Sequence, residues 1–279
     1  MPAQLTIKLL GGLGNQLFQI ATAYAYAKEH SMNLVLPEIW NHNSGRDPLW
    51  NTYFLNTSHG FNLISGNQFQ KISWIDIHEK SFLYTPIYHT PGSSNYRLYG
   101  YFQSSKYFNN YKDEIRILLQ IPNNLINAAN EAFARTQIHD PDGWIAAHVR
   151  RGDYLLASNY HVVTDAEYFK KAREEINKRI GPRTVCWITE DPKWVYTNVY
   201  QQGDVVICGN SMTDFACLSQ FRHIIMSNST FSWRATWLNP NNYVDRVICC
   251  PNKWFGPQGP QDCETIYEPE WIRIETMSG

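Results

Sequence analysis

The chain has 279 residues, 43% hydrophobic and 18% charged, which suits one large or two medium globular domains and excludes a disordered protein. A net charge of −1 with no basic run excludes a general grip on nucleic acid. No stretch approaches 18 continuous apolar residues and the start, MPAQLTIKLLGG, has no signal-peptide pattern, so at most peripheral membrane contact is expected. The six cysteines form no C-x-x-C pair and several lie in apolar runs, reading as buried free thiols of a cytoplasmic protein. The sequons at Asn56 and Asn228 would then go unused. Aromatic residues reach 14%; such side chains serve as sugar platforms in some proteins, but core packing explains most of them.

In chain order, LTIKLL (5–10) reads as a strand, followed by the glycine turn of GGLGNQLFQ and a helix in which Leu17, Ile20, Ala21 and Tyr24 share a face. Neither a dinucleotide fingerprint nor a P-loop fits, because Leu17 stands where the third glycine belongs and no Gly-Lys-Ser/Thr follows. What remains is a polar pair, Asn15 and Gln16, at the mouth of a turn. A strand at 34–36 ends at Pro37. Residues 38–98 show no long period and read as short helices and loops facing a substrate, with Trp40, His42, Arg46, Trp50 and Tyr53 among them. An aromatic strand and turn cover 98–108, and helices are expected at 109–120 and 123–136. The turn Asp140-Pro141-Asp142-Gly143 marks a boundary between domains 1–140 and 141–279.

Beyond it the rhythm is regular. Strands at 144–150, 184–189, 204–208, 223–227 and 246–250 alternate with helices near 165–180, 192–200, 212–221 and from Thr230. Thr164 or Asp165 caps the first of these helices. The pattern predicts α/β architecture with two Rossmann-like domains facing each other across a cleft, and ligands at the C-terminal edges of the strands.

Three stretches meet that edge. In HVRRGDY (148–154) strand alternation puts His148 and Arg150 on one face and Arg151 on the other. Arg150 is suited to gripping an anion through its guanidinium fork, leaving Arg151 to pair with Asp153. The other reading is that both arginines are solvated or paired at a strand end. Ser227-Asn228-Ser229-Thr230-Phe231 has the composition of a phosphate cradle at a helix N-terminus, or of an ordinary N-cap. Glu190-Asp191 ahead of Pro192 offers a carboxylate to a guanine or ribose, or caps the next helix. Together they describe a nucleoside diphosphate site. Asp140-Pro141-Asp142 matches a metal-binding D-x-D literally, but its proline and glycine make it a turn, and no metal is expected.

The stretches GGLGNQLFQ, GYFQSSKYF, HVRRGDY, ITEDP and SNSTFSWRATWL, in this order, resemble the bacterial α-1,2-fucosyltransferase family over nearly the whole chain. The resemblance implies a GT-B-like, inverting, metal-independent transferase with no cofactor. It would move fucose from GDP-fucose to the 2-hydroxyl of a terminal β-galactoside. Surface glycans such as the O-antigen of lipopolysaccharide are the implied products, a lipid-linked oligosaccharide is among the acceptors, and the inner membrane face is the implied place of work. Carried over by motif, Arg150 would hold the β-phosphate, with His148 close to the ribose or diphosphate. Asp191 would read guanine. Ser229, Thr230 and the amide of Phe231 would hold the diphosphate. Asn15, with the backbone of Leu13 and Gly14, would stand at the reaction centre. The related α-1,6-fucosyltransferases carry a glutamate five residues beyond the motif aspartate; here that position is Ser158, so Asp153, His161 and Asp165 are the candidate bases. Two further readings are open: another nucleotide-sugar glycosyltransferase, and a non-catalytic sugar- or nucleotide-binding protein.

Overall fold

A computed structural model describes residues 2–38, 53, 60–90, 94–239, 241 and 243–276. It divides into two compact units, Met1–Pro122 with Asp262–Tyr267, and Asn123–Gln261 with Glu268–Gly279.

The first unit holds a parallel sheet built from β1 (Gln4–Ile7), β2 (Asn33–Pro37), β3 (Asn62–Ile64), β4 (Trp74–His78) and β5 (Asn95–Tyr99), in the order β3-β2-β1-β5-β4. Leu5, Ile7, Leu34, Val35 and Leu36 are buried, as parallel strands covered on both faces require. Helix α1 (Leu13–Glu29) is buried nearly all round from Gly14 to Ala27, so its alanines allow close packing on every side rather than on one face. A five-residue helix α2 (Gly66–Gln70) starts on a Ser65–Gln68 capping box. The helix expected at 109–120 is α3 (Lys112–Leu118), preceded by a 3-10 turn at Asn109–Tyr111. Of the residues expected to face a substrate, Trp40, His42, Arg46 and Trp50 lie outside the described residues, as does Asn56. Tyr53 is buried, its hydroxyl donating to the Leu119 carbonyl at 2.7 Å.

The second unit opens with α4 (Asn123–Arg135), which buries Leu125, Ala129, Ala132 and Phe133. Phe133 meets Phe221 edge-on at 5.4 Å. This packing draws the helix into the second unit, so the division falls ahead of α4 and not at the Asp140–Gly143 turn. There follow β6 (Ile145–Val149), α5 (Gly152–Leu156), α6 (Ala166–Ile180), β7 (Val185–Thr189), α7 (Pro192–Asn198), β8 (Val205–Ile207), α8 (Ser211–Ser219), β9 (His223–Ile225), α9 (Thr230–Leu238), β10 (Ile248–Pro251) and β11 (Ile272–Ile274). Their parallel sheet has the order β11-β10-β9-β6-β7-β8. The strands β3, β4 and β11 and the helix α5 are not expected from the sequence.

One buried carboxylate organises the flank of this sheet. Asp204 accepts from both terminal nitrogens of Arg173 (2.8 and 3.0 Å), from Trp187 Nε1 (3.0 Å) and from the backbone of Val185 and Gln201. A buried ion pair is tolerated when every lone pair is used in this way. The four cysteines 186, 217, 249 and 250 are buried as expected, but Cys208, just past the edge strand β8, is exposed and Cys263 is half-buried. Among the described residues no helix is long and apolar enough to cross a membrane.

Both sheets reverse their strand order beside the first strand laid down. In the first unit the reversal lies between β1 and β5; in the second it lies between β6 and β9. Connections leave in opposite directions at such a point and open a crevice at the carboxyl ends of the strands.

Candidate active site

Arg150 and Arg151 follow β6 directly at the second crevice. The Arg150 guanidinium is paired with Glu190 and, at 2.6 Å, with Asp153, while its backbone N–H donates to Ser227 Oγ at 3.1 Å. Its side chain is a quarter exposed. Arg151 pairs with a different carboxylate from Arg150, and that partner is Asp191 at 3.3 Å rather than Asp153. The reason is local: the chain enters α5 at Gly152, and helical spacing then brings Asp153 under Arg150, three residues earlier. Arg151 also lies over the Trp194 ring at 4.4 Å, a cation–π contact.

The end of β9 faces this arginine. Ser227 Oγ donates to the His148 carbonyl at 2.8 Å and accepts from Arg150, so it fastens β6 to β9 across the crevice. Thr164 Oγ1 lies 3.2 Å from the same hydroxyl, which leaves Asp165 to cap α6 by accepting from Tyr168 N at 2.8 Å. Ser229 caps α9, its Oγ accepting from Phe231 N at 3.3 Å, and Thr230 opens the helix. His148 stacks on Phe231 with ring centroids 5.0 Å apart. Burial, reinforced by the Arg150 charge, holds the imidazole down to about 3, so it is neutral at neutral pH. Its Nδ1 is buried without a hydrogen-bond partner. An orphaned buried ring nitrogen at a crevice is what a ligand hydrogen bond would satisfy.

Asp191 caps α7, one oxygen accepting from Trp194 N at 3.1 Å and the other facing Arg151. Glu190 accepts from the Arg151 backbone N–H at 3.1 Å and from Arg150. A residue the sequence did not single out joins them: Asp214, in the first turn of α8, is buried and accepts from Gly209 N at 3.1 Å. Burial, with Glu190 nearby, raises its carboxyl to about 6. An acid in the first turn of a helix that follows an apolar strand was the available signal. Of the proposed bases, Asp153 is held by Arg150 and Asp165 by its cap, while His161 stacks face to face on Tyr154 at 4.1 Å. Burial lowers the His161 pKa, which weakens it as a base.

In the first unit, α1 begins at Leu13 behind Gly11-Gly12, with no side-chain cap. Gly11 has φ +72°, and a Cβ there would meet Asn15 Nδ2 at 2.2 Å, so only glycine fits. Each amide of the motif has a partner. Gln16 Nε2 donates to the Gly11 carbonyl (3.0 Å), Gln19 bridges Leu10 N and the Gly100 carbonyl (2.9 Å each), and Asn15 Oδ1 accepts from Gln103 Nε2 (2.9 Å). Leu13 and Gly14 thus lie at the start of α1 beside Asn15, at the crevice of the first sheet. His148, Arg150, Asp153, Asp191, Ser229, Thr230 and Phe231 gather at the crevice of the second.

Residues 2–275 match the family described as Glycosyl transferase family 11. The chain belongs to that family. The resemblance to α-1,2-fucosyltransferases drawn from the motifs is thereby borne out, and the chain is a glycosyltransferase. Among family-11-like relatives, the O-antigen biosynthesis glycosyltransferase WbnK of Escherichia coli is 29% identical over 171 residues, 58% of this chain and 56% of that protein. The alpha-1,2-colitosyltransferase of Escherichia coli is 26% identical over 96% of this chain and 98% of its own length. The galactoside alpha-(1,2)-fucosyltransferase 2 of Oryctolagus cuniculus is 25% identical over 98% of this chain and 77% of its own. Among solved structures, the NodZ alpha-1,6-fucosyltransferase of Bradyrhizobium, co-crystallised with GDP, superposes with a TM-score of 0.56 at 13% identity, covering 86% of this chain and 94% of that one. The two parallel α/β units thus match the fold of solved GT-B-like fucosyltransferases.

Proposed function

We propose that the protein transfers fucose from GDP-fucose, with inversion, to the 2-hydroxyl of a terminal β-galactoside in a surface glycan. The carrying observation is Arg150 at the switch point of a parallel sheet, its backbone N–H tied to Ser227 just ahead of the α9 cap Ser229 and its guanidinium held by Glu190 and Asp153. The family match and the names of the full-length relatives support the same reading.

In the reaction the bond from the fucose anomeric carbon to the β-phosphate oxygen breaks, a bond to the acceptor oxygen forms on the opposite face, and the proton of the acceptor hydroxyl passes to water. Negative charge grows on the departing GDP. Arg150 and the first N–H groups of α9 meet that charge without a metal, and such preorganised groups contribute most where charge develops. The diphosphate displaces Glu190 and Asp153 from the Arg150 fork. His148 Nδ1 takes a hydrogen bond from a ribose hydroxyl, its neutrality making it an acceptor. Recognition of the base falls to Glu190 and Asp214 at the edges of β7 and β8, in place of Asp191, whose oxygens serve the α7 cap and Arg151. Donor binding belongs to the second unit and acceptor recognition to the first. The acceptor is a lipid-linked oligosaccharide of O-antigen or lipopolysaccharide type, met in the cytoplasm at the inner membrane face.

The test is GDP release from GDP-fucose against a panel of β-galactosides, with product linkage read by NMR and with EDTA present in a parallel arm. Transfer to the 2-hydroxyl that persists in EDTA supports the reading; absence of both GDP binding and turnover overturns it. Colitosyl transfer is the second reading, favoured by the nearly full-length match to a colitosyltransferase. Competition between fucose and colitose donors decides between them.

A further inference from the structure

The loops that leave β1 and β5 flank the crevice of the first sheet, and the loop after β5 runs in a costly shape. Phe102 has φ +51°, a left-handed conformation that Cβ-bearing residues avoid. Glu79, directly after β4, holds it there. One carboxylate oxygen accepts from Tyr101 N at 2.7 Å and the other from Phe102 N at 3.0 Å. Its own N–H donates to the Tyr99 carbonyl at 2.8 Å, so the clamp is itself fixed to β5. The approach is close enough that a Cβ on Gly100 would lie 2.4 Å from Glu79 Cβ. One residue beyond the clamp, buried Gln103 donates to Asn15 Oδ1. With its oxygen so occupied, the Asn15 carboxamide has its nitrogen over Gly11.

We propose that Glu79 is a positioning residue of the transfer reaction: it fixes the turn at Phe102, the turn places Gln103, and Gln103 orients Asn15 at the mouth of the glycine turn. Glu79 touches no substrate. Both of its oxygens are spent on backbone N–H groups, which suits a fixture and not a base. Burial raises its pKa above the ordinary glutamate value, as befits a carboxylate enclosed to hold a loop. The inference rests on the glycosyl-transfer reading for its catalytic part only.

Two measurements test it. Hydrogen exchange on the ligand-free protein reads the scaffold regardless of activity. Glu79→Gln speeds exchange at Tyr101 and Phe102 and also across residues 10–16; Gln103→Met speeds exchange across 10–16 alone, because the clamp is intact. Unchanged exchange across 10–16 in both folded variants overturns the proposal, and Gln103→Met decides alone if Glu79→Gln does not fold. In turnover, each variant lowers kcat by about 10²-fold while KM for the donor stays within about twofold, since a displacement near 1 Å acts on the reacting geometry. Glu79→Asp, which keeps a carboxylate, recovers part of kcat. Wild-type kcat in both Glu79→Gln and Gln103→Met also overturns the proposal. A wild-type protein that neither transfers nor hydrolyses GDP-fucose defeats the proposed function instead, and the exchange result still judges the fixture.

Discussion

Replacing Arg150 by alanine separates catalysis from stability. Its ion pairs reach Glu190 and Asp153 side chains that are 39% and 50% exposed, so solvent screens them. Exposed pairs contribute roughly 0–1 kcal/mol, and a loss of that size moves the melting temperature of a chain this long by about 2–4 °C or less. The rate is another matter. Loss of one group that meets charge in the transition state removes roughly 3–4 kcal/mol, or about 10²–10³ in kcat. Arg150→Ala also leaves Glu190 and Asp153 facing the diphosphate without a cation, which deepens the loss and weakens GDP binding. Arg150→Lys keeps the charge but not the fork, and falls between. The assay is GDP release at saturating donor, run beside a thermal melt and GDP titration. An Arg150→Ala protein that melts like wild type and keeps kcat within about tenfold would refute the reasoning.

Arg151→Ala acts the other way. It removes the Asp191 ion pair and the Trp194 stack, lowering stability by roughly 1–2 kcal/mol in urea unfolding while GDP affinity changes little; a larger effect on GDP affinity than on stability contradicts this division. Cys208 stands exposed at the end of β8, its thiol raised by burial and by the Asp214 and Glu190 charges. Maleimide should label it slowly at neutral pH and faster in mild alkali, and saturating GDP should protect it; equal rates with and without GDP place the nucleotide elsewhere. His148 gives a pH signature. The unfolded chain takes up a proton below the ordinary value of about 6.5 that the native ring refuses until about 3, so stability is full above that upper value and falls as pH drops. By pH 5 the loss is about 2 kcal/mol from this ring, offset in part by Asp214, whose raised carboxyl binds its proton more tightly in the native state between about 6 and 4. His148→Phe, which keeps the ring stack, should lose about 2 kcal/mol less than wild type between pH 7 and pH 5; identical pH dependence in urea melts refutes the burial of a neutral imidazole.

The central strands were legible because they are buried on both faces. β6, β7 and β10 read as continuous apolar runs, and their ends marked Arg150 and Glu190-Asp191 without further help. β4 was not legible. It is an edge strand with exposed Ile75, and its Asp76 is satisfied across the sheet by Arg97 at 2.7 Å, a pairing no local pattern announces. The two arginines illustrate the same limit at the site. Their partners depend on α5, which begins at Gly152, a residue type that reads locally as a turn. Glu79 and Asp214 escaped notice because each acquires its role only from backbone brought to it by the fold.

The short return of residues Asp262–Tyr267 into the first unit has a practical bearing on hybrid enzymes. Thr265 accepts from the Tyr84 backbone N–H at 2.9 Å, so the N-terminal lobe is completed by a ribbon supplied from near the far end of the polypeptide. A single crossover near residue 122 between family members would graft a lobe missing its own patch. Chimeras that exchange 262–267 together with the N-terminal segment keep parental neighbours in register.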